Sequence, residues 1–166
     1  MTVAVRSKNS GPLPFLPEAL REPSRAWLAI LIGVALTLSG SLLLSAIATS
    51  ILPKAAVPVF AQRGVVPFWL LVSFAPIVET LIMAAVLSVL TRFLSPTRAV
   101  LVSAALWGVA HSLQAAAWGL VIWWPFVIFS TQYVVWRQRS VVAALGVPCA
   151  THALHNLLPA LKIAFG

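Results

Sequence analysis

The chain has very few charged side chains and almost no acidic ones. Charged residues make up 8% of its 166 residues, aspartate is absent, and the acids are Glu18, Glu22 and Glu79. Soluble domains carry about a quarter of their residues as charged side chains. A chain with so little charge cannot cover a water-facing surface, which excludes a soluble globular enzyme.

Cysteine is also scarce, since Cys149 is the single one in the sequence. One cysteine excludes a disulfide scaffold. Hydrophobic residues make up 61% of the chain and its mean hydropathy is +1.01, a composition that excludes intrinsic disorder. The net charge of +8 comes from basic residues that lie singly or in pairs between apolar runs. That placement is typical of membrane topology signals and not of a nucleic-acid interface.

Long apolar runs are what the sequence has in abundance. Crossing a bilayer takes about 20 apolar residues per helix, and five runs approach this length. We therefore predict an all-α, polytopic integral membrane bundle of about five transmembrane helices. The predicted spans are residues 27–52, 66–94, 99–117, 118–136 and 140–161.

Basic residues predict the orientation and the domain organisation. Residues 1–25 are polar, rich in proline and basic, and we interpret them as a cytoplasmic tail with a short helix near 18–25. Residues 26–166 form the predicted membrane-embedded core. With the N-terminus inside, the predicted inner segments hold eight basic residues and the outer segments three, as the positive-inside rule requires. The inner ones are Arg6, Lys8, Arg21, Arg25, Arg92, Arg98, Arg137 and Arg139, and the outer ones are Lys54, Arg63 and Lys162.

Three ionisable residues lie at similar depth on different predicted spans. Each is 13 residues from an arginine at the predicted inner boundary, or roughly 20 Å at the rise of an α-helix. Ionisable groups at membrane depth are costly and usually mark function. The pairs are Glu79 with Arg92, His111 with Arg98, and His152 with Arg139.

Helical spacing enlarges this predicted cluster. His152 and Asn156 share a helix face at i, i+4, as do Trp107 and His111, and His155 lies at the edge of the first face. A carboxylate removed from water is a stronger base, and with a histidine it can activate a water molecule. A second histidine and an amide can donate hydrogen bonds to an oxyanion. These groups together suit peptide hydrolysis inside the membrane.

The order of these motifs resembles the CPBP family of intramembrane proteases, which includes CAAX proteases and bacteriocin-processing proteins. The family motifs are EExxxR, FxxxH and HxxxN, and the matching segments here are ETLIMA, WGVAH and HALHN, within residues 66–161. The chain departs from these motifs at three positions, since Thr80 replaces the second glutamate, Ala84 the arginine, and Trp107 the phenylalanine.

The resemblance implies a glutamic-type protease without metal or cofactor. By resemblance, Glu79 and His111 activate the water, and His152 with Asn156 forms the oxyanion hole. Supporting or substrate-binding roles would fall to Trp107, Thr80 and His155. The implied partners are a membrane-associated protein or peptide substrate and the lipid bilayer, with no nucleic acid. The implied location is the inner membrane of a bacterium.

Two alternatives stay open from the residues alone. Glu79, His111 and His152 are also a two-histidine, one-carboxylate set that would suit a zinc-dependent membrane protease. The other alternative is a catalytically inactive membrane scaffold or a proton-coupled transporter, in which Glu79 and the histidines relay protons. Asn156 discriminates between hydrolysis and transport, because a proton relay has no need of an amide donor.

Overall fold

The computed structural model of the chain describes residues 11–52 and 63–166, and these ranges contain helices and no strands. The predicted all-α membrane bundle is therefore confirmed. A π-helical segment, Leu70–Phe74, joins α3 to α4 without a break. The helices are α1 (Glu18–Arg21), α2 (Ala26–Ile51), α3 (Val65–Trp69), α4 (Ala75–Phe93), α5 (Pro96–Ser112), α6 (Ala116–Trp136) and α7 (Val141–Phe165).

Four helical spans in the described ranges are long and apolar enough to cross a membrane: Ala26–Ile51, Val65–Phe93, Ala116–Trp136 and Val141–Phe165. The remaining predicted span corresponds to α5, which has 17 residues. Large apolar side chains such as Leu42 and Val142 face outward. That exposure fits a lipid surround and would be unfavourable in water.

The sequence placed the boundaries around α5 too late in the chain. Ser95 precedes α5, and its hydroxyl accepts a hydrogen bond from the Arg98 amide, so the helix begins at Pro96 and not at residue 99. The helix ends at Ser112, and α6 begins at Ala116. The turn therefore lies at residues 113–115, ahead of the predicted boundary at 117–118, which no charged residue marks.

Helix α6 is the central element, because it packs against α2, α5 and α7. Close approach of the backbones depends on small residues. A Cβ atom at Gly119 would overlap the carbonyl oxygen of Gly108 on α5. On the other side of α6, the Gln132 side chain donates to the Ala29 carbonyl of α2 at 2.9 Å. These contacts set how the helices are rotated about their axes.

The two ends of the bundle differ in character. We call the end that carries α1 the basic end; there Arg139 donates to the Ser24 carbonyl, and Leu16 and Leu20 are buried against the helices. At the opposite end, the Gly64 amide donates to the Ala164 carbonyl at 2.8 Å. Three of the basic residues on which the predicted orientation depends lie outside the described residues: Arg6, Lys8 and Lys54.

Candidate active site

A cavity of about 770 Å³ lies among the helices and holds the polar residues that the sequence placed at one depth. It extends from the middle of the bundle to the end opposite the basic end, where Arg63 and Lys162 line it. Most of its other lining is apolar, including Phe126 and Phe129 of α6. Apart from these two basic residues, the ionisable and amide side chains in its wall are Glu79, His111, His152, His155 and Asn156.

Glu79 and His152 form the ionisable pair of the site. The Oε2 atom of Glu79 lies 3.8 Å from Nε2 of His152. The His152 ring stacks on Phe129 with a centroid distance of 4.6 Å and an interplanar angle of 23°. Stacking restricts the imidazole, and its side chain is 7% exposed against 23% for Glu79. The carboxylate therefore reaches the cavity while the histidine is held by the wall.

His111 is oriented by its own helix. Its Nδ1 atom lies 2.9 Å from the Trp107 carbonyl oxygen, and that oxygen can only accept. The contact selects the tautomer with hydrogen on Nδ1, which leaves Nε2 as an acceptor. Trp118 packs edge-on against the ring at 4.6 Å. Within the described ranges, the close histidine contact of the Glu79 carboxylate is with His152 and not with His111.

Asn156 connects two of the helices that carry the site. Its Nδ2 atom donates to the Leu71 carbonyl oxygen at 2.9 Å, and Leu71 belongs to the π-helical segment. A π-helical turn displaces carbonyls from the regular α-helical hydrogen-bond pattern, which gives the amide an acceptor to bind. The amide carries a second N–H. Asn156 can therefore hold the π-helical segment and still donate toward the cavity.

The residues predicted to support the site take three different positions. Trp107 stacks on Phe126, a cavity-lining ring, at 4.3 Å and 9°, so it supports the wall from behind. Thr80 is buried, and its hydroxyl contacts the Cys149 thiol. His155 lines the cavity itself, and its Nδ1 atom is buried without a hydrogen-bond partner.

Sequence reasoning missed the contribution of α2 to the cavity. Ser41, Ser45 and Thr49 all line it, and they recur at i, i+4 and i+8 on one face of the helix. That spacing of hydroxyl residues is the signal that identifies this wall. Hydropathy alone does not reveal it, because serine and threonine are common in apolar spans.

The described residues contain no group of three or more His, Cys, Asp or Glu side chains that could hold a metal ion. Zinc binding by Glu79, His111 and His152 would require these side chains to rearrange.

The family model described as type II CAAX prenyl endopeptidase Rce1-like matches residues 61–158, which is more than half of the chain. The matched region contains Glu79, His111, His152 and Asn156, whereas α2 and the end of α7 lie outside it. No curated protein and no solved structure matches the chain.

Proposed function

Because the chain belongs to the type II CAAX prenyl endopeptidase Rce1-like family, we propose that it is a glutamate-dependent intramembrane endopeptidase of membrane-associated proteins. The resemblance to the CPBP proteases is thereby confirmed, and the mechanism is our proposal. The observation that supports it is the cavity between apolar helices, into which Glu79, His111, His152 and Asn156 all project.

In the proposed mechanism, Glu79 takes a proton from a water molecule, and the oxygen of that water attacks the carbonyl carbon of the scissile peptide bond. His111 accepts a hydrogen bond from the same water through Nε2, because its Nδ1 is committed to the Trp107 carbonyl. The proton held by Glu79 then passes to the amide nitrogen. The C–N bond breaks, which releases an amine and a carboxylic acid.

His152 and Asn156 are the proposed oxyanion donors. In this scheme the hydrogen of His152 lies on Nε2, the ring atom nearest the Glu79 carboxylate at 3.8 Å. The two histidines would then hold opposite tautomers, one an acceptor toward water and the other a donor toward the oxyanion. The second N–H of Asn156 adds to the donor set, since its first is bound to Leu71. Electrostatic stabilisation of this kind is often the largest catalytic contribution.

We further propose that the basic end faces the cytoplasm, in the cell membrane of a bacterium. Arg21, Arg25, Arg92, Arg98, Arg137 and Arg139 belong to the segments of this end, and positive residues favour the inner side. The cavity then extends toward the outer side.

Cysteine labelling tests this orientation. In a Cys149→Ala background, a membrane-impermeant maleimide added to intact cells should label Lys162→Cys and leave Arg137→Cys unlabelled. The reverse labelling pattern would contradict the proposed orientation.

The experiment that tests the proposed activity uses the full chain in nanodiscs and three kinds of substrate. These are a farnesylated peptide that ends in a Cys-aliphatic-aliphatic-X sequence, its unprenylated counterpart, and a library of membrane-anchored peptides. Cleavage is measured by mass spectrometry for the wild type, Glu79→Gln and Glu18→Gln. Glu18 is an exposed carboxylate outside the cavity, so Glu18→Gln is the matched control.

We expect Glu79→Gln to lower the cleavage rate at least 100-fold, a loss typical of removing a general base. The Glu18→Gln control should retain the wild-type rate. Cleavage by Glu79→Gln at the wild-type rate would contradict the glutamate mechanism. Wild-type protein that cleaves none of the substrates would count against the protease proposal as a whole.

A further inference from the structure

Helix α2 contributes a row of three hydroxyl groups to the cavity wall. Ser41, Ser45 and Thr49 lie at i, i+4 and i+8, and all three line the cavity. In the described part of the chain, α2 and α4 do not contact each other, although both pack on α6 and α7. The hydroxyl row therefore belongs to a different wall from Glu79.

Ser41 differs from the other hydroxyl residues on the same helix. Ser39 and Ser50 donate to carbonyls of α2 itself, as hydroxyls in apolar helices usually do. Thr49 also donates within the helix, so its oxygen remains an acceptor for a ligand. The Ser41 oxygen is buried and has no hydrogen-bond partner. A buried polar atom without a partner costs free energy unless a ligand satisfies it.

His155 gives an independent indication of a ligand in the same cavity. It lies on α7, its side chain is 7% exposed, and its Nδ1 atom has no hydrogen-bond partner. It belongs to none of the catalytic steps proposed above. A buried imidazole with an unpaired nitrogen at the cavity wall is a further polar group available to a bound molecule.

The spacing of the row matches an extended peptide. Residues four apart on a helix are separated by about 6 Å along its axis. In an extended chain, peptide groups that face the same side recur every two residues, or about 6.7 Å. Each unpaired main-chain group within a membrane costs several kcal/mol. A protease that unwinds its substrate there needs partners for the substrate main chain.

From these observations we infer that Ser41, Ser45 and Thr49, together with His155, bind the main chain of an extended substrate segment. This inference rests on the proposed function, and it identifies what the substrate-facing wall recognises. The apolar cavity lining then accommodates the side chains of the same segment. Because α2 lies outside the family-matched residues 61–158, this wall is a feature of this chain beyond the matched region.

The first test compares substrate binding and turnover. The triple variant Ser41→Ala, Ser45→Ala, Thr49→Val removes the row, and Ser39→Ala with Ser50→Ala removes hydroxyls from other faces of the same helix. For the farnesylated peptide, we expect the triple variant to raise KM roughly tenfold with kcat changed less than about threefold, given the usual contribution of a hydrogen bond. The control pair should leave both parameters unchanged.

A main-chain contact has a signature that a packing effect lacks. Peptides with one amide at a time replaced by an ester lose an N–H donor without a change in their side chains. The ester that faces the row should raise KM for the wild type and have little effect on KM for the triple variant. Equal penalties in both proteins at every ester position would overturn the inference.

A binding measurement separates this inference from the proposed function. In the Glu79→Gln background, p-benzoylphenylalanine at position 45 should photo-crosslink the farnesylated peptide, and at position 50 it should not. A crosslink at 45 without wild-type cleavage would overturn the protease proposal and leave peptide binding in place. Wild-type cleavage with equal crosslinking at both positions would overturn the inference that the hydroxyl row binds the substrate main chain. Absence of both cleavage and crosslink contradicts both proposals.

Discussion

The side-chain amide of Asn156 donates a 2.9 Å hydrogen bond to the backbone carbonyl of Leu71, and this bond joins α7 to the π-helical segment ahead of Glu79. Leu71, Ala75 and Glu79 all line the cavity at intervals of four residues. The bond therefore connects the helix that carries His152 to the helix that carries Glu79. One side chain thus connects to the segment that leads to Glu79, the proposed general base, and carries a second N–H for its proposed role as an oxyanion donor.

Asn156→Ala should lower kcat by about 100- to 1,000-fold, because it removes a donor to the oxyanion. Asn156→Leu, which is close in size but cannot donate, should lose a similar amount. Cleavage rates and thermal unfolding are measured together, with Gln138→Ala as an exposed amide control. Unchanged cleavage by Asn156→Ala would contradict the proposed oxyanion role. If the protein is instead a proton-coupled transporter, Asn156→Ala should leave proton flux in liposomes intact.

Treatment with a zinc chelator distinguishes the glutamic mechanism from the zinc alternative. The described residues contain no group of three His, Cys, Asp or Glu side chains placed to hold a metal ion, so we expect cleavage by wild-type protein to continue at the same rate in 1,10-phenanthroline. The non-chelating isomer 1,7-phenanthroline serves as the matched control. Cleavage that disappears with the chelator alone and returns with added zinc would favour the zinc protease.

Trp107→Phe should retain most of the activity, because a phenyl ring still stacks on Phe126 and His111 keeps its backbone partner. Trp107→Ala removes a stack of 4.3 Å and leaves a cavity behind the wall. It should lower stability by about 3 kcal/mol and reduce kcat by misplacing His111. Thermal unfolding and cleavage assays compare the two variants. An equal loss of stability and of kcat in Trp107→Phe and Trp107→Ala would contradict the prediction.

Gly119→Ala should destabilise the bundle, because the new Cβ atom would overlap the Gly108 carbonyl and Ser112. Relief of such an overlap between packed helices typically costs about 1–3 kcal/mol. Gly146→Ala is the control, since nothing lies within 4 Å of its Cβ position, and alanine favours a helix by about 1 kcal/mol over glycine. Unfolding temperatures in detergent should fall for the first variant and hold or rise for the second.

Hydropathy was sufficient to predict the membrane bundle, and residue spacing was sufficient to predict that Glu79, His111 and His152 lie near one another. Apolar length determines whether a helix crosses the membrane, and a count of residues from each arginine determines depth at a known rise per residue. Glu79, His111 and His152 accordingly line one cavity in the structure. The end of α5 was less predictable, because short turns between apolar helices leave little trace in composition.

Tertiary packing decided how each helix is rotated about its axis, and the sequence does not specify that rotation when a helix is apolar on all sides. The 3.8 Å contact of Glu79 with His152, the bond of Asn156 to Leu71 and the cavity-facing position of Ser41 all depend on it. By itself, the sequence determined that the chain forms an apolar helical bundle and which polar residues lie within its helices. Only the packed structure decided which of those residues meet, because side-chain contact requires facing helix surfaces as well as equal depth.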